Sequence, residues 1–188
     1  RMACGVSVSL TFPLRVKAVM IDLDGTLLDT IPDLAVAANM MLAELGRPAL
    51  DEALIRTFVG KGIPRLVERA LAGSLEGMAD PALFERALPI YDRCYAAVNG
   101  SRTVVYPGVV AGLERMREQG FPLACVTNKS GRFTRPLLEH TKLSGYFSVV
   151  VAGDTLPKKK PDPLPLLHAC GTFGIAPGSM LMIGDSLN

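Results

Sequence analysis

The fold is indicated most clearly by residues 19–29, which read VMIDLDGTLLD. The largely apolar run over residues 16–21 is typical of a buried strand, and it ends abruptly at Asp22. Asp24 follows, and a Gly-Thr pair then breaks the strand pattern. In open α/β sheets, ligands collect just beyond the carboxyl ends of the strands. The two aspartates are therefore candidates for one site, whereas Asp29 is predicted to lie where the following helix begins.

The same strand pattern recurs three times later in the chain. Further strands are predicted at residues 121–127, 147–152 and 180–183, and helices with apolar spacing are predicted at residues 107–119, 133–140 and 164–173. Strands that alternate with helices in this way form parallel sheets with right-handed crossovers. We therefore predict an α/β fold.

Residues 31–102 contain no convincing buried strand and have the apolar spacing of helices instead. Helices are expected at residues 31–45, 51–59, 64–71 and 81–98, with breaks at glycine and proline. We interpret this block as a helical cap domain inserted into a core made of residues 15–30 and 103–188. Periodicity alone leaves a second interpretation open, in which the helices simply cover the sheet.

The composition argues against a nucleic-acid or membrane partner. Of the 188 residues 49% are hydrophobic, and 20 basic and 18 acidic residues give a net charge of +2. There is no basic stripe with interleaved aromatic residues, and no run reaches the roughly 18 apolar residues of a membrane span. The four cysteines show no metal-binding spacing. Unpatterned cysteines are typical of a reducing compartment, so a cytoplasmic location is expected, with residues 1–14 as an N-terminal extension.

Polar groups follow each of the predicted strands. They are Asp22 with Asp24, then Thr127, then a loop that reaches Lys160, and finally Asp185. A carboxylate can attack phosphorus and form an aspartyl-phosphate, which divides a difficult hydrolysis into two easier steps. Hydroxyl and ammonium groups can surround the charge of the transferred phosphoryl group, and Mg²⁺ commonly binds one or two carboxylates. The set therefore suits phosphoryl transfer with a divalent ion.

Four short segments resemble the motifs of the haloacid dehalogenase-like phosphatases, in the order found in that family. DLDGT at residues 22–26 is similar to the first motif, VTNK at 126–129 to the second, KPDP at 160–163 to the third, and GDSLN at 184–188 to the fourth. The resemblance extends from Val16 to the end of the chain. It implies a Rossmann-like, three-layer parallel-sheet core with a helical cap.

The resemblance also implies roles for the acidic residues. Asp22 would be the nucleophile and a Mg²⁺ ligand. Asp24 would be the general acid and then the general base, with its main-chain carbonyl on the metal. Asp185 would complete the metal site, supported by Ser186 and Asn188.

The phosphate would be held by residues of the first three motifs. The resemblance assigns this role to Gly25, Thr127, Asn128 and Lys160. Taken alone, Thr127 is also compatible with a hydroxyl that only closes a turn at the end of a strand. The lysines at positions 158 and 159 are equally compatible with a solvated patch.

Softer matches at residues 30–34, 59–62, 106–109 and 153–156 are similar to the phosphoglycolate phosphatases of this family. Their substrate carries a carboxylate beside its phosphate, and Lys61 in the Gly-Lys-Gly turn of the cap could contact it. The alternative is that the two glycines only permit a turn and that Lys61 lies in water. The expected function is thus a Mg²⁺-dependent phosphatase that acts on a small phosphorylated substrate, 2-phosphoglycolate.

Two other functions are left open by the sequence. One is another capped enzyme of the same family, such as a phosphosugar phosphatase, a pyrophosphatase or a phosphoglucomutase. The other is an inactive phosphate-binding protein, because the family usually continues beyond Asn188 with a further aspartate, another strand and helices. On that basis a truncated carboxyl end and an incomplete metal site are expected.

Overall fold

A four-stranded parallel sheet forms the centre of the computed structural model, which describes residues 14–186. Expectations for residues 1–13 and for Asn188 lie outside the described residues. The strands, in chain order, are β1 (Ala18–Ile21), β2 (Leu28–Asp29), β3 (Val104–Val105), β4 (Leu123–Val126), β5 (Val149–Val151) and β6 (Met180–Ile183). The central sheet has the order β5-β4-β1-β6, and each neighbouring pair is parallel. The predicted α/β fold with a parallel sheet is confirmed.

Seven helices accompany these strands among the described residues. They are α1 (Ile31–Glu44), α2 (Glu52–Phe58), α3 (Ile63–Ala72), α4 (Pro81–Val98), α5 (Val109–Glu118), α6 (Gly131–His140) and α7 (Leu164–Phe173). The first four follow one another without an intervening strand, as predicted. The start of α6 was predicted two residues too late, and this helix continues through Pro136. None of the described helices is both long enough and apolar enough to cross a membrane.

The central sheet is covered by helices on both faces. Val19 and Ile21 of β1 belong to a buried cluster that includes Leu137 of α6. Met20 lies between them in sequence and belongs to a different cluster, which includes Ala169 of α7. Because successive side chains of a strand point to opposite faces of the sheet, the two clusters are the two sides of a three-layer core.

The four helices α1–α4 share a hydrophobic cluster of their own. Buried side chains from all four contribute to it, including Met41, Phe58, Leu66 and Tyr91, and Phe133 of α6 joins them from the α/β part. A separate cluster of this kind is compatible with the predicted cap. Whether the block is a distinct domain stays a prediction.

The chain enters and leaves the helical block at adjacent points. Asp29 pairs with Val104 in the antiparallel two-stranded sheet formed by β2 and β3. These short strands were not predicted, because two residues show no periodicity. Asp29 was expected at the start of the helix; it lies in β2 instead, and one of its carboxylate oxygens accepts a hydrogen bond from the Ile31 N–H at 3.2 Å.

Asp33 of α1 connects the two segments through which the chain enters and leaves the helical block. Its side chain is fully buried and accepts hydrogen bonds from the backbone N–H groups of Gly100, Arg102 and Thr103 at 2.9, 2.7 and 3.1 Å. The Thr103 hydroxyl donates a fourth bond at 2.7 Å. One carboxylate thus binds the first turn of the helical block to its last connection.

Candidate active site

The carboxyl ends of β1, β4 and β6 open into one cavity of about 440 Å³. Its walls include six of the residues predicted to react or to bind the phosphate or the metal: Asp22, Asp24, Gly25, Thr127, Asn128 and Asp185. Residues of the helical block line the opposite side, among them Leu34 of α1, Arg56 of α2 and Ile63 of α3. The strand-end arrangement expected from the sequence is therefore present.

Asp22 and Lys160 form a close ion pair at the end of β1. The Lys160 Nζ lies 2.6 Å from Asp22 Oδ2, and both side chains are largely buried. The other carboxylate oxygen of Asp22 accepts the Leu23 N–H at 2.8 Å. Burial raises the pKa of Asp22, and the Lys160 ammonium and the Leu23 N–H oppose this shift. These two contacts therefore favour the ionised Asp22 carboxylate, whereas its burial favours the protonated form.

Asp24 is held by a different cation, Lys129. The Lys129 ammonium lies 3.0 and 3.2 Å from the two oxygens of Asp24, and the Thr30 hydroxyl donates to Asp24 Oδ1 at 2.7 Å. Only 4% of the Lys129 side chain is exposed, and its ammonium lies 4.9 Å from the centre of the Tyr95 ring. No role for Lys129 was predicted from the sequence. Its position next to Thr127 in the second motif was the available signal.

Asp185 is packed against the Gly-Thr turn that follows Asp24. The Thr26 hydroxyl donates to Asp185 Oδ1 at 3.1 Å. Gly25 has a φ of +80°, and a Cβ atom at this position would lie 2.3 Å from Asp185 Oδ2. A glycine is therefore needed here for two reasons, its backbone conformation and the space taken by the Asp185 carboxylate.

The oxygen atoms available at this point fit the expected metal. Asp22 and Asp185 both line the cavity, and oxygen ligands of this kind are those that Mg²⁺ prefers. Within residues 14–186, no three His, Cys, Asp or Glu side chains form a metal-binding cluster. The expected set needs only two side-chain carboxylates, because Asp24 would contribute its main-chain carbonyl.

The loop after β4 supplies the polar groups expected for phosphate binding. Thr127 is buried, and its oxygen accepts the Lys129 N–H at 3.2 Å, which leaves its own O–H as a donor. Thr127 therefore closes a turn and also lines the cavity, so the structure is compatible with a turn-closing role and with a phosphate-binding role. Asn128 donates from Nδ2 to the Lys160 carbonyl at 2.9 Å and so joins this loop to the Lys160 loop.

Of the two described residues of the predicted set that remain, one lines the cavity and the other does not. Ser186 lines the cavity. Lys61 is exposed on the turn between α2 and α3 and is absent from the cavity wall, although Gly60 and Gly62 on either side of it belong to the wall. The described structure therefore does not bring Lys61 to the other site residues.

Besides Lys129, two further cations that were not predicted for the site line the cavity. Arg56 lines it from the helical block, and Lys159 lines it from the loop before Lys160. Lys158, in contrast, is 65% exposed and pairs with Asp162, as expected of a solvated lysine.

Known proteins share both the sequence and the fold. The family model described as haloacid dehalogenase-like hydrolase matches residues 16–188. A protein of Nitrosospira multiformis named phosphoglycolate phosphatase is 59% identical over 177 residues, which are 94% of this chain and 78% of the relative. A protein of the same name from Thiobacillus denitrificans is 53% identical over 178 residues, which are 95% of this chain and 78% of the relative.

Solved structures agree with these sequence relatives. The crystal structure of a predicted phosphoglycolate phosphatase from Haemophilus somnus superposes with a TM-score of 0.84 at 32% identity. The match covers 92% of this chain and 78% of the other. A putative phosphoglycolate phosphatase from Lactobacillus delbrueckii gives a TM-score of 0.82 at 27% identity, with 92% and 80% covered.

Proposed function

The chain belongs to the haloacid dehalogenase-like hydrolases, and we propose that it is a phosphatase that hydrolyses 2-phosphoglycolate to glycolate and phosphate. The observation that carries this proposal is the ion pair of Lys160 with Asp22, which lines the cavity together with Asp24. A buried carboxylate of this kind can act as the nucleophile. The cation beside it can then stabilise the negative charge of the phosphoryl group that the carboxylate receives.

In the first half of the proposed reaction, an oxygen of Asp22 attacks phosphorus. The bond between phosphorus and the ester oxygen breaks as the aspartyl-phosphate forms, and Asp24 gives its proton to the departing glycolate oxygen. Lys160 contacts Asp22 at 2.6 Å and therefore lies beside the phosphoryl group throughout this step. The Thr127 hydroxyl and the loop around Asn128 contribute donors to the phosphoryl oxygens.

In the second half, water attacks the phosphorus of the aspartyl-phosphate. Asp24 accepts the proton from this water, the bond between Asp22 and phosphorus breaks, and inorganic phosphate leaves. The Lys129 ammonium and the Thr30 hydroxyl hold the Asp24 carboxylate in one place for both proton transfers.

We include Mg²⁺ in the proposal. Asp22, Asp185 and the Asp24 carbonyl would hold it, with Ser186 and Asn188 in support, and when bound it would neutralise charge on the phosphoryl oxygens. The observation that supports this is the place of Asp185, whose carboxylate occupies the space left by the missing side chain of Gly25.

We also propose that residues 31–102 act as a cap over a core made of residues 15–30 and 103–188. Their own hydrophobic cluster and their position on the far wall of the cavity support this. A cap of this kind excludes water from the aspartyl-phosphate and limits the size of the substrate. The choice of phosphoglycolate rests on the names of relatives that are 46–59% identical to this chain.

The test is phosphate release from a panel of phosphorylated compounds by the full chain, with Mg²⁺ and with a chelator. The panel contains phosphoglycolate, a sugar phosphate and pyrophosphate, and the Asp22→Asn variant is the control for the active site. We expect Mg²⁺-dependent release with the highest kcat/KM for phosphoglycolate and none from the variant. Activity retained by Asp22→Asn would remove Asp22 as the nucleophile, and a preference for pyrophosphate or a sugar phosphate would overturn the substrate.

A further inference from the structure

The cavity is lined partly by residues that follow the strands of the central sheet and partly by residues of α1–α4 and their turns. Several residues of the first group are charged, but only one described residue of the second group is. Among the described residues of α1–α4 and their turns that line it, Arg56 alone carries a charge. The others, such as Leu34, Ile63 and Leu66, are apolar or are glycines. A phosphate ester whose phosphorus is at Asp22 therefore meets one cation on the opposite wall.

Arg56 is available to a ligand. Its guanidinium lies 3.6 Å from Asp29 Oδ2 and 3.8 Å from Glu52 Oε1, both longer than a hydrogen bond, and 48% of its side chain is exposed. Among the hydrogen bonds between residues of the described part of the chain, the Arg56 guanidinium donates none. An incoming carboxylate could take two N–H donors without breaking a direct hydrogen bond.

Asp29 keeps Arg56 close to the cavity. One oxygen of Asp29 accepts the Ile31 N–H, and its other oxygen faces Arg56. Asp29 is itself fixed by its pairing with Val104 in the two-stranded sheet. The Asp29 carboxylate therefore lies beside the arginine at the entrance of the helical block.

We propose that Arg56 forms the subsite for the carboxylate of the substrate, so that the enzyme selects phosphate esters with a carboxylate tail. This inference rests on the proposed phosphatase function and adds the residue that recognises the non-reacting end. A guanidinium presents parallel N–H donors that match the two oxygens of a carboxylate. We therefore assign to Arg56 the role that the sequence suggested for Lys61.

Lys159 and Lys129 are the other cations on the cavity wall. Lys129 already contacts Asp24, and Lys159 comes from the loop that carries Lys160, on the side of the phosphate. Both are therefore placed for the reacting end of the substrate. Arg56 is the cation that the helical block contributes to the wall.

The test compares two pairs of substrates that differ in the charge of the tail. Phosphoglycolate is paired with 2-hydroxyethyl phosphate, and 3-phosphoglycerate with glycerol 3-phosphate. Steady-state kinetics of the full chain with Mg²⁺ are measured for wild type, Arg56→Gln, Arg56→Lys, Lys61→Gln and Lys159→Gln. Arg86→Gln, which changes an exposed arginine of α4 outside the cavity wall, is the matched control.

We expect Arg56→Gln to lower kcat/KM for the preferred carboxylate ester by about 10- to 100-fold, the usual range for one charge-assisted contact. Its effect on the neutral partner should stay within about threefold, as should all effects of Arg86→Gln. Arg56→Lys should restore part of the preference, because it keeps the charge but not the parallel donors. Thermal unfolding of each variant checks that the fold is retained.

The substrate pairs separate the two levels of the proposal. A wild-type preference for phosphoglycolate that survives in Arg56→Gln overturns the subsite and leaves the proposed function in place. A preference for 3-phosphoglycerate that is lost in Arg56→Gln overturns the substrate and supports the subsite. Selective loss in Lys61→Gln or Lys159→Gln, or equal loss with both esters in Arg56→Gln, would also overturn the role of Arg56.

Discussion

The Lys129 ammonium lies 3.0 Å from Asp24 Oδ1 and also lies over the ring of Tyr95. Tyr95 belongs to α4, so this one lysine contacts both the proposed acid–base residue and the helical block. The Tyr95 ring in turn packs edge-on against Phe133 of α6, with 4.7 Å between the ring centres. The orientation of Asp24 is therefore coupled to the packing of α4 against the α/β core.

Replacing Lys129 by methionine is expected to impair catalysis more than binding. Asp24 would lose its contact with the lysine ammonium and keep only the hydrogen bond from Thr30. We therefore expect kcat to fall about 10- to 100-fold, which is part of the rate enhancement that a general acid–base group supplies. The measurement is steady-state hydrolysis of phosphoglycolate with Mg²⁺. Lys158→Met, at an exposed lysine outside the cavity, is the control and should stay close to wild type. A raised KM with an unchanged kcat would instead show that Lys129 binds the substrate.

Replacing Gly25 by alanine is expected to lower stability and to disturb the proposed metal site. The new Cβ would lie 2.3 Å from Asp185 Oδ2 in a backbone with a φ of +80°. Gly46→Ala is the matched control, because Gly46 has a φ of +68° and a Cβ added there would meet no atom within 4 Å. Both variants should lose about 1–2 kcal/mol from the left-handed conformation, and Gly25→Ala about 1–3 kcal/mol more from the clash.

Urea unfolding measures the stability loss of the two glycine variants, and phosphate release at increasing Mg²⁺ concentration measures the effect on the metal site. Only Gly25→Ala should need more Mg²⁺ for half-maximal activity, since only there must Asp185 move. Equal stability and equal Mg²⁺ dependence in the two variants would mean that the Asp185 carboxylate can shift without consequence.

The sequence predicts which elements deliver the polar groups, and it does so for a physical reason. Asp22, Thr127 and Asp185 each follow an apolar strand, and parallel strands bring their carboxyl ends to one edge of the sheet. A backbone pattern of this kind is enough to gather Asp22, Thr127 and Asp185 in one cavity. The α/β fold follows from the same alternation of strands and helices.

The sequence does not predict contacts that depend on how side chains of elements far apart in the chain are oriented towards one another. Lys129 and Arg56 have no periodic signal, and their roles depend on how the helical block packs over the sheet. Lys61 was suggested by its flanking glycines, but these describe only the turn, and its side chain is exposed. The contacts of Asp33 with residues near position 100 are likewise long-range, with sequence separations of 67 to 70 residues.

Replacing Asp33 by alanine is expected to destabilise the protein strongly. Three backbone N–H groups and the Thr103 hydroxyl, which are buried or partly buried, would lose their acceptor, which should cost about 3–5 kcal/mol. Asp51→Ala is the control, since Asp51 caps α2 at an exposed position with one bond to the Ala53 N–H and should cost about 1 kcal/mol. Urea unfolding gives both values. Similar losses in the two variants would show that water replaces the Asp33 carboxylate.

The ion pair of Lys160 with Asp22 predicts a change in how stability depends on pH. Lys160 is the largest of the influences that lower the pKa of Asp22, and burial raises that pKa above its ordinary value of 3.8. In Lys160→Met, burial acts without this cation, so the pKa of Asp22 should rise further. The folded state then binds a proton more tightly than the unfolded chain, so the free energy of unfolding should fall as pH rises above 3.8 towards the raised pKa.

The measurement is urea unfolding of metal-free protein between about pH 4 and pH 7, where a carboxyl group with a raised pKa titrates. The Lys160→Met variant should lose stability over this range relative to wild type. The double variant with Asp22→Asn should not, because an amide has no proton to release. Either single change leaves a buried group without its partner, which costs about 3–5 kcal/mol, and the double variant should cost less than the two losses combined. A pH profile of Lys160→Met parallel to that of wild type, with additive losses, would show that Lys160 does not hold the charge of Asp22.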